Sequence, residues 1–193
     1  MLMTVCIFAA SSSRVNDEYN IAASELGALL AKAGIDIVFG GGGIGLMGKI
    51  ADAVKENGGR ITGVIPSFME EEGWGHKGID MMIVTADMSE RKKRLFEMSD
   101  AVVALPGGVG TLEELTEAIT LKQLSLFDGP IIILNTLGFY DPLFKFFDVM
   151  VDNHFLRKEH KAIWEIADSP GEVVAALKNK RNGNEEWRKI AKI

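Results

Sequence analysis

A single cysteine, only three histidines and no long apolar run set the first limits on this chain. Cys6 lies in the first apolar run and reads as a small core residue in a reducing compartment. His76, His154 and His160 lack metal-ligand spacing with any cysteine or acid cluster, so no metal site is expected. No stretch approaches the ~20 apolar residues of a membrane span, and Met1-Leu2-Met3 lacks the charged flank of a signal peptide. A cytoplasmic protein without a membrane partner is the expectation. Positive charge is also short: a net charge of -6 argues against a nucleic-acid-binding surface. Neither an internal repeat nor a linker divides the 193 residues, which are enough for one domain with a proper core. The charged tail 178–193 reads as a surface helix or a subunit contact.

What the chain has is alternation. Apolar runs at Thr4–Ala9, Ile35–Phe39, Ile61–Ile65, Met82–Val84, Ala101–Leu105, Ile131–Asn135 and Ile163–Ala167 read as buried strands. Helical patterns stand between them, at about Asp17–Ala33, Gly45–Asn57, from Met88, Leu112–Leu126 and Asp141–Asp152, and a last helix begins at Ser169. Ser169, Pro170 and Glu172 carry a clean start signal for that helix. An irregular segment is expected up to Asp80. Strands apolar throughout, each followed by a helix, belong in a parallel sheet covered on both faces. The expected fold is a doubly wound α/β domain, Rossmann-like, with three layers around a parallel central sheet.

In such a sheet ligands bind beyond the carboxyl ends of the strands. Four loops there are unusual. Ala10-Ser11-Ser12-Ser13-Arg14 offers hydroxyls, either for a ligand or for a turn and helix cap. Gly40 to Lys49 contains a formal Gly-x-Gly-x-x-Gly at Gly43, Gly45 and Gly48, but the acid of a dinucleotide site is missing further on. The same run almost spells a P-loop, yet Ile50 stands where a magnesium-binding hydroxyl is needed. A loop where backbone closely approaches a ligand or another backbone survives both failures.

In the third loop Asp87 and Glu90 form a capping box, which places Arg91, Lys92, Lys93 and Arg94 at the unfavourable end of a helix. They read either as a solvated face or with Arg91 and Lys92 reaching over the cleft to a phosphate or a carboxylate. The fourth loop, Pro106 to Glu114, has three glycines within four residues between a strand and a helix. Unpaired N–H groups at a helix start make an anion site, and phosphate is the usual anion. Thr111 and Glu114 have capping-box spacing, so Glu114 reads equally as a cap or as a catalytic acid.

Together these residues carry a resemblance. Pro106 to Glu114 matches Pro-Gly-Gly-x-Gly-Thr-x-x-Glu in full, Arg91-Lys92 matches an upstream Arg-Lys pair, and Gly40 to Gly48 matches Gly-Gly-Gly-x-x-Gly-Leu-Met-Gly. The chain resembles the Lonely Guy family over essentially its whole length. That family cleaves cytokinin riboside 5'-monophosphates, or AMP, to free base and ribose 5-phosphate, in cytokinin biosynthesis. Members were often labelled lysine decarboxylases, a chemistry that normally needs pyridoxal phosphate on a lysine. No lysine here sits in a convincing site for it, so no cofactor is expected.

The resemblance implies Arg91 and Glu114 as the catalytic pair. Gly107, Gly108, Val109, Gly110 and Thr111 would hold the 5'-phosphate, with Lys92 and Thr120 lining the nucleotide site. Ser11, Ser12, Gly42, Gly43, Met88, Leu112 and Glu113 complete the substrate-binding set it implies. Arg91 would keep Glu114 ionised, since a nearby cation lowers a carboxylate's pKa. The family also implies a homo-oligomer, most simply a dimer, for which the apolar helix around Leu121, Leu124 and Phe127 offers a face.

Some positions depart from the pattern. Ala9-Ala10 replaces a common Cys-Gly, Gly43 stands where a polar residue is frequent, and Met69 to His76 differs from the plant-type loop. Base preference is therefore open. Glu72, Trp74 and His76 read as an exposed flexible loop or, alternatively, as a wall of the base pocket. A second class stays open as well: a non-catalytic nucleotide or molybdenum-cofactor carrier using the same glycine turns.

Overall fold

Seven short strands line up in one parallel sheet, in the order β4-β3-β2-β1-β5-β6-β7. The computed structural model describes residues 3–179, Trp187 and Ile190. In chain order the elements are β1 (Thr4–Phe8), α1 (Asp17–Lys32), β2 (Asp36–Phe39), α2 (Gly45–Glu56), β3 (Ile61–Pro66), α3 (Ser67–Glu71) and β4 (Met81–Thr85). They continue as α4 (Met88–Glu97), β5 (Ala101–Ala104), α5 (Val109–Gln123), β6 (Ile131–Leu134), α6 (Asp141–Asp152), β7 (Trp164–Ala167) and α7 (Pro170–Lys178). The doubly wound fold is as expected, and the strand boundaries agree within a residue or so.

The sheet separates two cores because successive side chains point to opposite faces. Val5 and Ile7 of β1 pack with Leu26 and Leu30 of α1, Ile50 and Val54 of α2, and Val173 and Leu177 of α7. Cys6 and Phe8 point the other way, to Leu95 of α4, Leu115 and Ala118 of α5, and Phe147 of α6. Each fully buried leucine of this kind contributes roughly 1.5–3 kcal/mol. Cys6 is the small core residue expected, with no exposed surface. Of the charged tail, Trp187 is buried against the second core and Ile190 packs there too; residues 180–186, 188–189 and 191–193 lie outside the described residues.

Two elements differ from the sequence expectation. The segment expected to be irregular holds the short helix α3 directly after β3. More important, α5 begins at Val109, three residues before the expected Leu112, with Gly108 as its N-cap. Thr111 therefore sits inside the first turn, and the Thr111–Glu114 capping box does not form.

Strands β2, β3 and β4 extend from one side of β1, and β5, β6 and β7 from the other. The winding thus reverses between β1 and β5. The loops leaving these two strands diverge and open a crevice there.

Candidate active site

A cleft of about 480 Å³ fills that crevice. Its walls come from the carboxyl ends of five adjacent strands and the segments that follow them, Met88 and Arg91 after β4 among them. In the order in which the sheet lays them out, the other four are β5 (Gly108, Gly110, Thr111), β1 (Ala9, Ala10, Ser11), β2 (Gly40, Gly42, Gly43) and β3 (Ile65, Met69). Backbone bonds lock the junction. Ala10 N–H donates to the Pro106 carbonyl at 3.3 Å, and Met47 N–H donates to the Ala10 carbonyl at 3.3 Å. Gly45 has a left-handed φ of +68°, and an added Cβ there would lie 2.6 Å from the Ser12 carbonyl oxygen, so glycine alone fits.

Two helix N-termini open onto this cleft. Neither α5, starting after Gly108, nor α2, starting after Ile44, has a side-chain cap or an acid in its first turn. The contrast with α4 and α7 is informative. Asp87 accepts from Glu90 N–H at 2.8 Å and Ser169 from Glu172 N–H at 3.4 Å. Glu90 and Glu172 then accept from Ala86 and Asp168 N–H, one residue before the cap in each case. The first turn of α5 has neither device, an arrangement that suits an anion, whereas Met47 N–H of α2 is taken by the Ala10 carbonyl; α1 and α6 also lack a side-chain cap but carry the acids Asp17 and Asp141 in their first turns. Gly107 is needed beside this end, because a Cβ on it would lie 2.1 Å from the Thr111 hydroxyl.

Arg91, in the first turn of α4, turns inward rather than to solvent. Its Nε donates to the Val64 carbonyl at 3.0 Å and its Nη1 to Glu114 Oε1 at 2.7 Å. Gly40 makes room for it: a Cβ there would lie 2.2 Å from Arg91 Nη2. Burial pushes the Glu114 carboxyl above its ordinary value of 4.5, and Arg91 pulls it back only in part. Arg91 acts in the direction expected of it, toward the charged carboxylate, but desolvation outweighs the pairing. Behind the pair, burial raises the Cys6 thiol well above its ordinary value, with the charge of Glu114 adding to the effect and that of Arg91 opposing it.

Of the residues expected at the site, the cleft brings together Arg91, Glu114, Ser11, Gly42, Gly43, Met88, Gly108, Gly110, Thr111 and Glu113. Others stand outside its lining. Lys92 binds Glu113 and reaches Glu117 at 3.0 Å, tying α4 to α5. The Thr120 hydroxyl donates to the Thr116 carbonyl at 2.8 Å on the exposed side of α5. Ser12 accepts from Arg14 N–H, Val109 and Leu112 are exposed, and Gly107 packs on Thr111. Among the described residues Lys93 and Arg94 form ion pairs with Glu97 alone and stay exposed, which makes them the solvated face.

The cleft also includes Gly40, Ile44, Met47, Ile65 and Met69, which the site expectation omitted, and Trp74, which the sequence offered only as the second reading of its loop. The four-glycine run after β2 was the available signal for Gly40. Trp74 belongs to the wall, not to a free loop: its carbonyl accepts from Gly43 N–H at 3.0 Å. His76 instead turns to Asp52, at 3.0 Å.

A family model described as possible lysine decarboxylase matches residues 47–177. A cytokinin riboside 5'-monophosphate phosphoribohydrolase of Arabidopsis thaliana is 41% identical over 175 residues, spanning 91% of this chain and 82% of that protein. One of Oryza sativa subsp. japonica is 41% identical over 174 residues, spanning 90% and 72%. Among solved structures, the molybdenum cofactor carrier protein of Chlamydomonas reinhardtii aligns with a TM-score of 0.71 over 92% of this chain and 97% of that one. Its identity is 24%, a likeness of fold.

Proposed function

The chain belongs to the Lonely Guy family, which the possible lysine decarboxylase model describes, and we propose that it hydrolyses the N-glycosidic bond of purine nucleoside 5'-monophosphates. The observation that carries this reading is the buried Arg91–Glu114 pair beside two uncapped helix N-termini in one cleft. The phosphoribohydrolase relatives at about 40% identity support the same reaction. The carrier reading has only the likeness of fold behind it.

The proposed chemistry follows the layout of the cleft. The 5'-phosphate lies on the first N–H groups of α5 at Gly108 to Thr111, where the helix dipole and unpaired donors favour an anion. Glu114, one turn along the same helix, then falls beside the ribose. The bond from the anomeric carbon to the base nitrogen breaks, and its electron pair leaves with the base. Water supplies a hydroxyl to that carbon, and its other proton passes to Glu114 and then, through solvent, to the departing base, so that the carboxylate is restored. The transition state carries oxocarbenium character on the sugar, as in glycoside hydrolysis. An ionised Glu114 stabilises that charge and accepts the water proton. Arg91 holds the carboxylate in place from the Val64 carbonyl. Phosphate binding away from the reacting bond aligns the ribose.

Purified protein incubated with AMP or isopentenyladenosine monophosphate should release free base, followed by chromatography. Release from neither nucleotide would contradict the reading. The protein is also proposed to form a homodimer, supported by Leu124 and Leu126 exposed at the end of α5. Phe127, expected in that face, is buried in the core and supplies no contact there. Sedimentation at micromolar concentration should show a dimer; a monomer would remove this part of the account.

A further inference from the structure

The reaction leaves one wall of the cleft without a task. Trp74 lines the cleft with 52% of its surface exposed, whereas Trp164 and Trp187 are each 7% exposed. A large aromatic side chain held half in water forgoes much of its burial free energy. The backbone that carries it is nevertheless well tied. Gly43 N–H donates to the Trp74 carbonyl, His76 N–H donates to the Gly41 carbonyl at 2.8 Å, and Gly42 and Gly75 form an antiparallel bridge. His76 Nδ1 accepts from Gly78 N–H at 3.0 Å, so Nε2 carries the proton it donates to Asp52. Two glycines permit this docking. An added Cβ at Gly43 would lie 3.3 Å from His76 Cα, and one at Gly75 would lie 2.2 Å from Glu70 Oε2.

The sheet places this wall at the far end from the phosphate. With strands about 4.8 Å apart, the loops after β2 and β3 stand roughly 10–14 Å from the loop after β5. Phosphate at the β5 end and ribose at Glu114 leave the base to reach toward Trp74. The neighbours there, Met47, Ile65, Met69 and Met88, are apolar, as a base pocket requires.

We propose that Trp74 is the base-binding residue of the cleft: its indole face stacks on the nucleobase, held ready by the Gly42–Gly75 bridge. This inference rests on the nucleotide reading above. Stacking recognises any aromatic base through its π face. It also separates nucleotide from product, because ribose 5-phosphate has nothing to place against the indole.

Intrinsic tryptophan fluorescence, titrated with AMP and with ribose 5-phosphate, tests the proposal together with steady-state base release by Trp74→Ala and Trp74→Phe. AMP should quench the wild-type emission, ribose 5-phosphate should not, and Trp74→Phe should lose the quench. Trp74→Ala should raise the KM for AMP roughly 5- to 150-fold, the loss expected on removing an aromatic stacking partner. Its kcat should change less than about threefold, and Trp74→Phe should recover most of the KM. Equal responses to AMP and ribose 5-phosphate, or a Trp74→Ala KM within about twofold of wild type, would overturn the assignment. If the wild type releases no base at all, the hydrolase reading fails separately, and the fluorescence titration still decides the stacking.

Discussion

Arg91 Nη1 stands 2.7 Å from Glu114 Oε1, with the two side chains only 8% and 11% exposed. The partners lie 23 residues apart and on different helices, so the ion pair ties α4 to α5 as well as forming the centre of the cleft. A buried pair of this kind is expensive to break from one side, because the remaining charge is left without a partner.

Glu114→Ala should therefore be doubly damaging. Stability should fall by about 3 kcal/mol, or roughly 6–12 °C in thermal midpoint for a domain of this size. Glu114→Gln keeps the shape and an acceptor for Arg91, so it should fold with a smaller loss yet release base at least about 100-fold more slowly. Calorimetry on both variants, beside base-release kinetics, separates the structural role from the chemical one. A Glu114→Gln enzyme with near wild-type turnover would remove Glu114 from the mechanism.

The raised Glu114 pKa sets the pH dependence. Activity that needs the carboxylate is lost as pH falls through the native pKa, so the acid limb of kcat/KM should lie above 4.5. For stability, the folded state holds this proton more tightly than the unfolded one. The favourable contribution of the protonated form is full below 4.5 and is lost as pH rises through the raised native value. Arg91→Ala removes the cation that opposes the shift and should move the acid limb of any residual activity higher still. Profiles of kcat/KM between about pH 4 and about pH 8 show this directly; an acid limb unmoved by Arg91→Ala would contradict the coupling.

Gly40→Ala should mimic the loss of Arg91 without touching it. The added methyl would lie 2.2 Å from Nη2, so the guanidinium must leave its place against Glu114. Such overpacking costs about 1–3 kcal/mol, and base release should collapse with it. Gly110→Ala is the counterpart, since a Cβ there meets nothing within 4 Å. It should hold or gain up to about 1 kcal/mol from helix propensity, while the methyl crowds the phosphate end and raises KM. Thermal melts paired with KM values distinguish the two glycines.

Tyr140 supports the start of the loop after β5. Its buried hydroxyl donates to the Leu105 carbonyl at 2.7 Å, at the point where the chain leaves β5. Tyr140→Phe leaves that carbonyl without this partner and should cost about 1–3 kcal/mol. The effect should appear in the thermal midpoint, while KM stays within about threefold of wild type. An unchanged melting temperature would show that the loop is held by its backbone alone.

Much of this architecture was legible in the chain itself. Strands such as Ile131–Leu134, apolar at every position, can only be buried on both faces, and helices between them force a parallel sheet. Caps at Asp87 and Ser169 were readable because their signals are local. The start of α5 was not, since Thr111 imitates an N-cap and only the packing of Gly107 against it shows the helix already running. Lys92 was equally ambiguous: whether it meets a ligand or Glu113 and Glu117 depends on how α4 and α5 face each other. The direction of the Glu114 shift depends on burial, which no spacing rule reports. Trp74 required the most from the tertiary structure, because its place is set by a bridge between two glycines 33 positions apart.

The most direct measurement is the release of adenine and ribose 5-phosphate from AMP by the wild type, Arg91→Ala and Glu114→Gln, assayed in parallel on folded protein. The account predicts equal amounts of the two products from the wild type and a loss of at least about 100-fold in each variant. Product formation undiminished in both variants would contradict it, because the buried pair would then be structure and not chemistry.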